Sequence, residues 1–350
     1  MNSVSSRATR RVLVHATLIV ALVGGLLVSV SVGQLEMTVR GVLGTLASVV
    51  GFDTSWNPAD ELVRETLLQI RFPRVVMSVL VGASLAVSGA VMQAIFGNPL
   101  AEPGVVGVSS GAAVGAAVAL AWGGAFLGEL GVAAAGFVGG LISTFFVYFA
   151  ARNEGRTEVV TLLLMGIAVN AFAGAALAFV LFSASSAARE QIVFWQLGSI
   201  NGSRWDEVVI ISAVSIPAML IAIALASRFD LLTLGERTAR HLGLNVELLR
   251  IVSVGLVALL TAVGVAFVGI ISFVGLVVPH AIRMLIGPAH RPLLLSSAVG
   301  GAALLVWADF AARTLVSGVD LPIGMLTALV GGPFFFYLVR SARSRSGGWS

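Results

Sequence analysis

Long apolar runs separated by short polar joints fill this chain. A membrane-spanning helix needs about 20 apolar residues, and eight runs reach that length cleanly: 12–33, 75–96, 104–122, 131–151, 159–182, 208–227, 293–312 and 322–339. The stretch 251–286 carries no charge before Arg283, yet as a single helix it would be about 54 Å long, nearly twice the hydrocarbon thickness. It reads as two spans, 251–267 and 269–286, with Gly264 and Gly269 flanking the turn. The pattern predicts an all-α polytopic membrane protein, one transmembrane domain of ten helices over residues 1–350. The first span is too long for a signal-peptide core and no small-residue cleavage site follows it, so it is expected to remain as a helix. Residues 34–70 fit least well. Their apolar core, Gly41 to Phe52, is too short to span and reads as an interfacial helix, followed by a polar loop at Asn57 and Pro58.

Composition agrees with the pattern: 58% of residues are hydrophobic, 11% are charged, and mean hydropathy is +1.01. Soluble domains carry about a quarter charged residues. Small residues at helical spacing, Gly111 with Gly115, Gly136 with Gly140, and Gly166, Asn170 and Gly174, mark faces where helices approach closely. There is no cysteine, which excludes disulfides, thiolate metal sites and cysteine nucleophiles. All 21 basic residues are arginine, so neither a Walker A lysine nor a Schiff base is possible, and any ATP must be bound by another chain. The net charge of +4 forms no stripe that would suit nucleic acid.

The arginines instead report topology. Arg7, Arg10 and Arg11 at one end of the chain and Arg340, Arg343 and Arg345 at the other place both termini in the cytoplasm by the positive-inside rule. Ten spans then put 14 arginines inside and seven outside. Four of the seven, Arg40, Arg64, Arg71 and Arg74, precede the second span and break the bias.

Four segments rise above the apolar background. Arg71-Phe72-Pro73-Arg74 opens span two, whose inner end carries Gln93 and then Asn98 to Gly104, a rigid turn with two prolines. The polar stretch 229–250 has Thr233 and Glu236 at capping-box spacing, Gly243 suited to a C-cap and Asn245 to the next N-cap, which draws two short surface helices. Pro279-His280 with Arg283 precedes Gly287 to Pro292. Asp309 and Arg313, four apart on span nine, can pair along one helix face. His15, His241, His280 and His290 have no companion at ligand spacing, so no metal site is expected. No nucleophile stands with a base, and nothing indicates an enzyme. A proton- or sodium-driven transporter needs ionisable groups deep in its spans, and Asp309 is the one acidic residue within these boundaries.

The runs RFPR, SGAVMQAIFGNPLAEPG, LGERTARHLGL, VGLVVPHAIR and LPIGMLTALVGGPFFFYLV resemble the permease subunits of bacterial ABC importers for ferric siderophores, haem and cobalamin, the FecCD-like family. The resemblance covers about residues 71–339 and implies a homodimer of ten-span subunits in the cytoplasmic membrane, with two inverted-related halves. It implies two separate ATPase subunits holding ATP and Mg on the cytoplasmic side, and an extracytoplasmic substrate-binding protein. On that reading Arg71, Arg74 and Arg313 face glutamates of the binding protein. Leu234, Gly235, Glu236, Arg240, His241, Leu242 and Gly243 belong to the ATPase-coupling helices. Gln93, Asn98 and Asn170 are candidates for the pathway or its gate. Phe194 to Ser199 and the GRTE run from Gly155 look like haem permeases, which ranks haem with ferric siderophores and places cobalamin third.

Overall fold

A computed structural model describes residues 2–33, 35, 37–52, 54–58, 60–153, 156–316 and 318–345. Gln34, in the segment that fitted least well, and Gly155, at the head of the GRTE run, lie outside the described residues. The chain opens with α1 (Asn2–Ser31) and α2 (Val39–Val49), followed by α3 (Glu61–Thr66), which passes through one π-turn (Leu67–Arg71) into α4 (Phe72–Phe96). A 3-10 turn (Pro103–Val106) leads to α5 (Val108–Val118), then α6 (Gly124–Ala150). A hairpin of β1 (Arg152–Asn153) and β2 (Arg156–Thr157) connects to α7 (Val159–Ser183), α8 (Ser186–Leu197) and α9 (Trp205–Ala224). After α10 (Ala226–Leu232) and α11 (Glu236–His241) come α12 (Val246–Val268), α13 (Val274–Ile286), α14 (His290–Thr314) and α15 (Ile323–Arg345).

Among the described residues, seven helices are long and apolar enough to cross a membrane, and the apolar helices 39–49, 108–123, 274–286 and 323–337 are shorter. The bundle has two ends, the first at the start of α1 and the second at its close. The core lies along α4, which is buried over most of its length against α12, α13 and α14. Glycine makes that approach possible: a Cβ on Gly89 would overlap the carbonyl oxygen of Gly275 in α13, and one on Gly82 that of Gly301 in α14. The predicted glycine faces of α5 and α6 meet likewise, with Gly111 against Gly139 and Gly115 against Ala135.

Four sequence expectations change. The helix containing span two starts at Glu61, not near Val75, because Asp60 caps it by accepting from the Leu62 N–H at 2.9 Å. Arg71 and Arg74 therefore stand within a helix. The π-turn just before Pro73 widens the backbone where the proline ring would meet the carbonyl of Ile70 or Gln69. The 251–286 stretch does break, but after Val268: Gly264 is inside α12, and residues 269–273 are not helical. The 104–122 span is helical from Val108 onward, after a 3-10 turn. Thr233 forms no capping box; its hydroxyl donates to the Asp230 carbonyl at 2.7 Å, and α11 begins after Gly235 at φ +95°. Only one short helix follows, since the turn capped by Asn245 is the start of the long α12.

Candidate functional site

At the second end, three guanidinium groups and one acid line a cavity of about 560 Å³, together with Gly33, Thr66 and Asn201. The three are Arg71, Arg74 and Arg313, and the acid is Asp320. Each arginine already has partners. Arg71 donates to the Val30, Ser31 and Leu35 carbonyls, the Ser31 bond being 3.1 Å. Arg313 donates to the Ser29 carbonyl and hydroxyl, and to the Val32 carbonyl at 2.7 Å. The last carbonyls of a helix have no intrahelical donors and carry partial negative charge. Two cations thus cap the C-terminal end of α1.

Arg74 has a different task. It pairs with Asp309 at 2.9 Å and with Asp320 at 2.9 Å, and donates to Asn201 Oδ1 at 3.1 Å. The Asp309 side chain is 2% exposed. The expected pair of Asp309 with Arg313 forms only as a long contact of 3.9 Å; the closer pair forms across helices because α4 packs along α14, which sequence spacing cannot reveal.

The segment expected to couple to an ATPase lies at the first end. Leu234 and Leu242 are each 58% exposed, an apolar surface flanking α11 with Gly235, Arg240, His241 and Gly243 also open to solvent. Gly243 closes α11 at φ +86°, with the Leu244 N–H returning to the Ala239 carbonyl at 3.0 Å, as its sequence position predicts. Glu236 pairs with Arg240 and Arg250. Asp230 of α10 accepts from both the backbone N–H and Nδ1 of His290, at 2.9 and 2.7 Å, and so caps α14 from another helix. Neither that cap nor Arg250 was among the sequence candidates.

The three pathway candidates differ. Gln93 is buried, donating to the Leu276 carbonyl at 3.2 Å and accepting from Arg283 at 3.3 Å, while also bordering a cavity with Leu232 and Glu236. Asn98 accepts from the Leu100 N–H at 2.9 Å, which fixes the turn. Asn170 accepts from Ser110 at 2.6 Å and lines a cavity of about 290 Å³ with Ser109, Gln196 and Ile270. Beyond that turn, Glu102 accepts from the N–H of Phe273 at 3.4 Å, ahead of α13, where Phe273 holds φ +67°. Burial pushes the Glu102 carboxyl above its ordinary value of 4.5, against the lowering pull of that N–H.

Cavities among multi-pass apolar helices, with a polar surface at one end, fit the class of membrane transport proteins. The chain matches the FecCD transport family over residues 18–341 and belongs to that family. It is 43% identical over 277 residues to the cobalamin import system permease protein BtuC of Halobacterium salinarum, covering 79% of this chain and 74% of that one. It is 39% identical over 314 residues to the hemin transport system permease protein HmuU of Yersinia pestis, covering 85% and 90%. A solved chain described as a metal-chelate type ABC transporter in an inward-facing conformation superposes with a TM-score of 0.81 at 30% identity, covering 93% of this chain and 98% of that one. This is an ABC importer permease, a transport subunit whose ATP hydrolysis is done by separate ATPase subunits.

Proposed function

We propose that this permease moves an iron chelate, haem or a ferric siderophore, into the cytoplasm as a homodimer with both termini on the cytoplasmic side. The carrying observation is the polarity of the bundle: exposed Leu234 and Leu242 flanking α11 at the first end, and a three-arginine cavity at the second. The ATPase subunits, holding ATP and Mg, engage Leu234 to Gly243 in the cytoplasm. A binding protein presents carboxylates to Arg71, Arg74 and Arg313 outside, where arginine forks suit bidentate acceptors. Asp309, the one acid within the predicted spans, is paired with Arg74, which argues against its use in proton or sodium coupling.

Cobalamin is the second reading, favoured by the 43% identity to a cobalamin permease. Proteoliposomes containing permease, ATPase and binding protein decide between them by ATP-dependent uptake of haem, a ferric siderophore or cobalamin. Uptake of iron chelates with none of cobalamin is expected, and the reverse result overturns the assignment. A Soret band on the copurified binding protein separates haem from siderophore.

A further inference from the structure

Arg250 is a buried cation that the docking and pathway assignments leave unused. Its side chain is 6% exposed, and its guanidinium joins three segments distant in sequence. Nη1 donates to the Thr157 carbonyl at 2.8 Å and to Glu247 at 3.3 Å, while Nη2 binds Glu236. Glu247 grips the same threonine, accepting from its N–H at 3.2 Å and its hydroxyl at 3.1 Å. Glu236 begins α11, Glu247 and Arg250 lie in the first turns of α12, and Thr157 ends the hairpin two residues before α7.

The placement is directional. α11 packs on α10 and α12, whereas Glu236 and Val159, the first residue of α7, face one another across a cavity of about 390 Å³. α7 in turn carries Asn170 and borders the cavity of Ser110 and Gln196. Because Arg250 holds a main-chain carbonyl of the hairpin and a side chain of α11 in one planar fork, displacement of α11 pulls on the start of α7. We infer that Arg250 is a positioning residue that transmits ATPase-driven movement of α11 to α7. The inference rests on the proposed docking of the ATPase at α11.

The chain has no cysteine, so purified permease with a single introduced thiol can be labelled at that site alone before its partners are added. In the assembled transporter with binding protein and ATPase, an environment-sensitive fluorophore is placed on Thr238→Cys in α11 or on Glu158→Cys at the N-terminus of α7. Both labels should respond to ATP in the otherwise unchanged permease. With Arg250→Ala the Thr238 response should persist and the Glu158 response should vanish. Transport per ATP hydrolysed should fall by about 5- to 150-fold, the span of typical coupling between sites. Arg250→Lys keeps the charge but not the fork and should restore part of both readouts. A Glu158 label that still responds in Arg250→Ala overturns the relay. Where that variant does not fold, Glu236→Ala serves, since it removes the α11 acceptor of Arg250, along with that of Arg240, and leaves the hairpin contacts; an unaltered Glu158 response there also overturns it. A silent Thr238 label in the otherwise unchanged permease sinks the docking reading, and the relay with it.

Discussion

Breaking the Arg74–Asp309 pair should destabilise the permease far more than removing it whole. Asp309 is all but inaccessible, and its contacts with Arg74 lie between 2.9 and 3.1 Å. Truncating one member of such a pair leaves an uncompensated buried charge, worth about 3–5 kcal/mol, whereas replacing both by apolar groups of similar volume is often neutral. Arg313 cannot take over for Arg74, since it stays 3.9 Å from Asp309 and is committed to the end of α1. Arg74→Met should therefore cost about 3–5 kcal/mol. Asp309→Leu should cost less, because Arg74 keeps Asp320 and Asn201. The double variant should return close to the unaltered protein, so the interaction energy should be no smaller than the cost of the Arg74 single, about 3–5 kcal/mol, above the usual range of about 0.5–3 kcal/mol. Denaturant unfolding of the detergent-solubilised permease, followed by tryptophan fluorescence, measures all four. Additive single effects would refute the pairing as the source of the loss. The same geometry dictates how docking is tested. Arg74→Glu sets a new carboxylate against Asp309 and Asp320, so failure to bind a partner in that variant reports a damaged second end. Arg71 and Arg313, tested as neutral variants with a stability control, isolate docking.

Gly243→Val should reduce uptake into proteoliposomes while pull-down of the binding protein holds. No atom crowds the new side chain, so the cost is backbone strain at φ +86°, about 1–2 kcal/mol, and normal uptake removes the α11 assignment. Gly89→Ala should force α4 from α13 and lower the thermal midpoint, at about 1–3 kcal/mol for overpacking; Gly24→Ala, inside α1 where a Cβ meets nothing, should hold the midpoint or raise it. Glu102→Gln should alter the pH dependence of stability. With its carboxyl held above 4.5 in the fold, ionisation carries no penalty below 4.5, and the penalty grows as pH rises toward the folded value. The variant should match the parent at the acid end and unfold at higher temperature at pH 8; an advantage confined to acid pH contradicts the burial argument.

Hydropathy located most spans because lipid imposes one length on every helix that crosses it. The caps at Gly243 and Asn245 were equally legible, each being a local requirement that one residue type satisfies. What escaped was tertiary. Arg313 stands four residues from Asp309, so spacing favoured that pair, but packing of α4 on α14 gave the acid to Arg74, far away in sequence. Thr233 had the spacing of a cap and turned its hydroxyl to Asp230 instead. The 12-residue α8 went unseen, being too short to span and too mixed in polarity for a hydropathy run.

The arginines predicted to lie outside show how an anomaly can be legible while its cause is not. Their violation of the positive-inside bias pointed to a partner outside the chain, and the bundle supplies one within it, the carbonyl-rich close of α1. The two roles are compatible without exchange. Arg71 and Arg313 hold the carbonyls of residues 29–35 through their Nη atoms, and a guanidinium has five N–H donors, so each keeps donors for a carboxylate arriving at the cavity, Arg313 Nε among them. On the proposed docking, charge-assisted bonds from these remaining donors add to the hold on α1 and do not replace it. Salt that screens the incoming carboxylates should weaken docking and leave the arginines on α1.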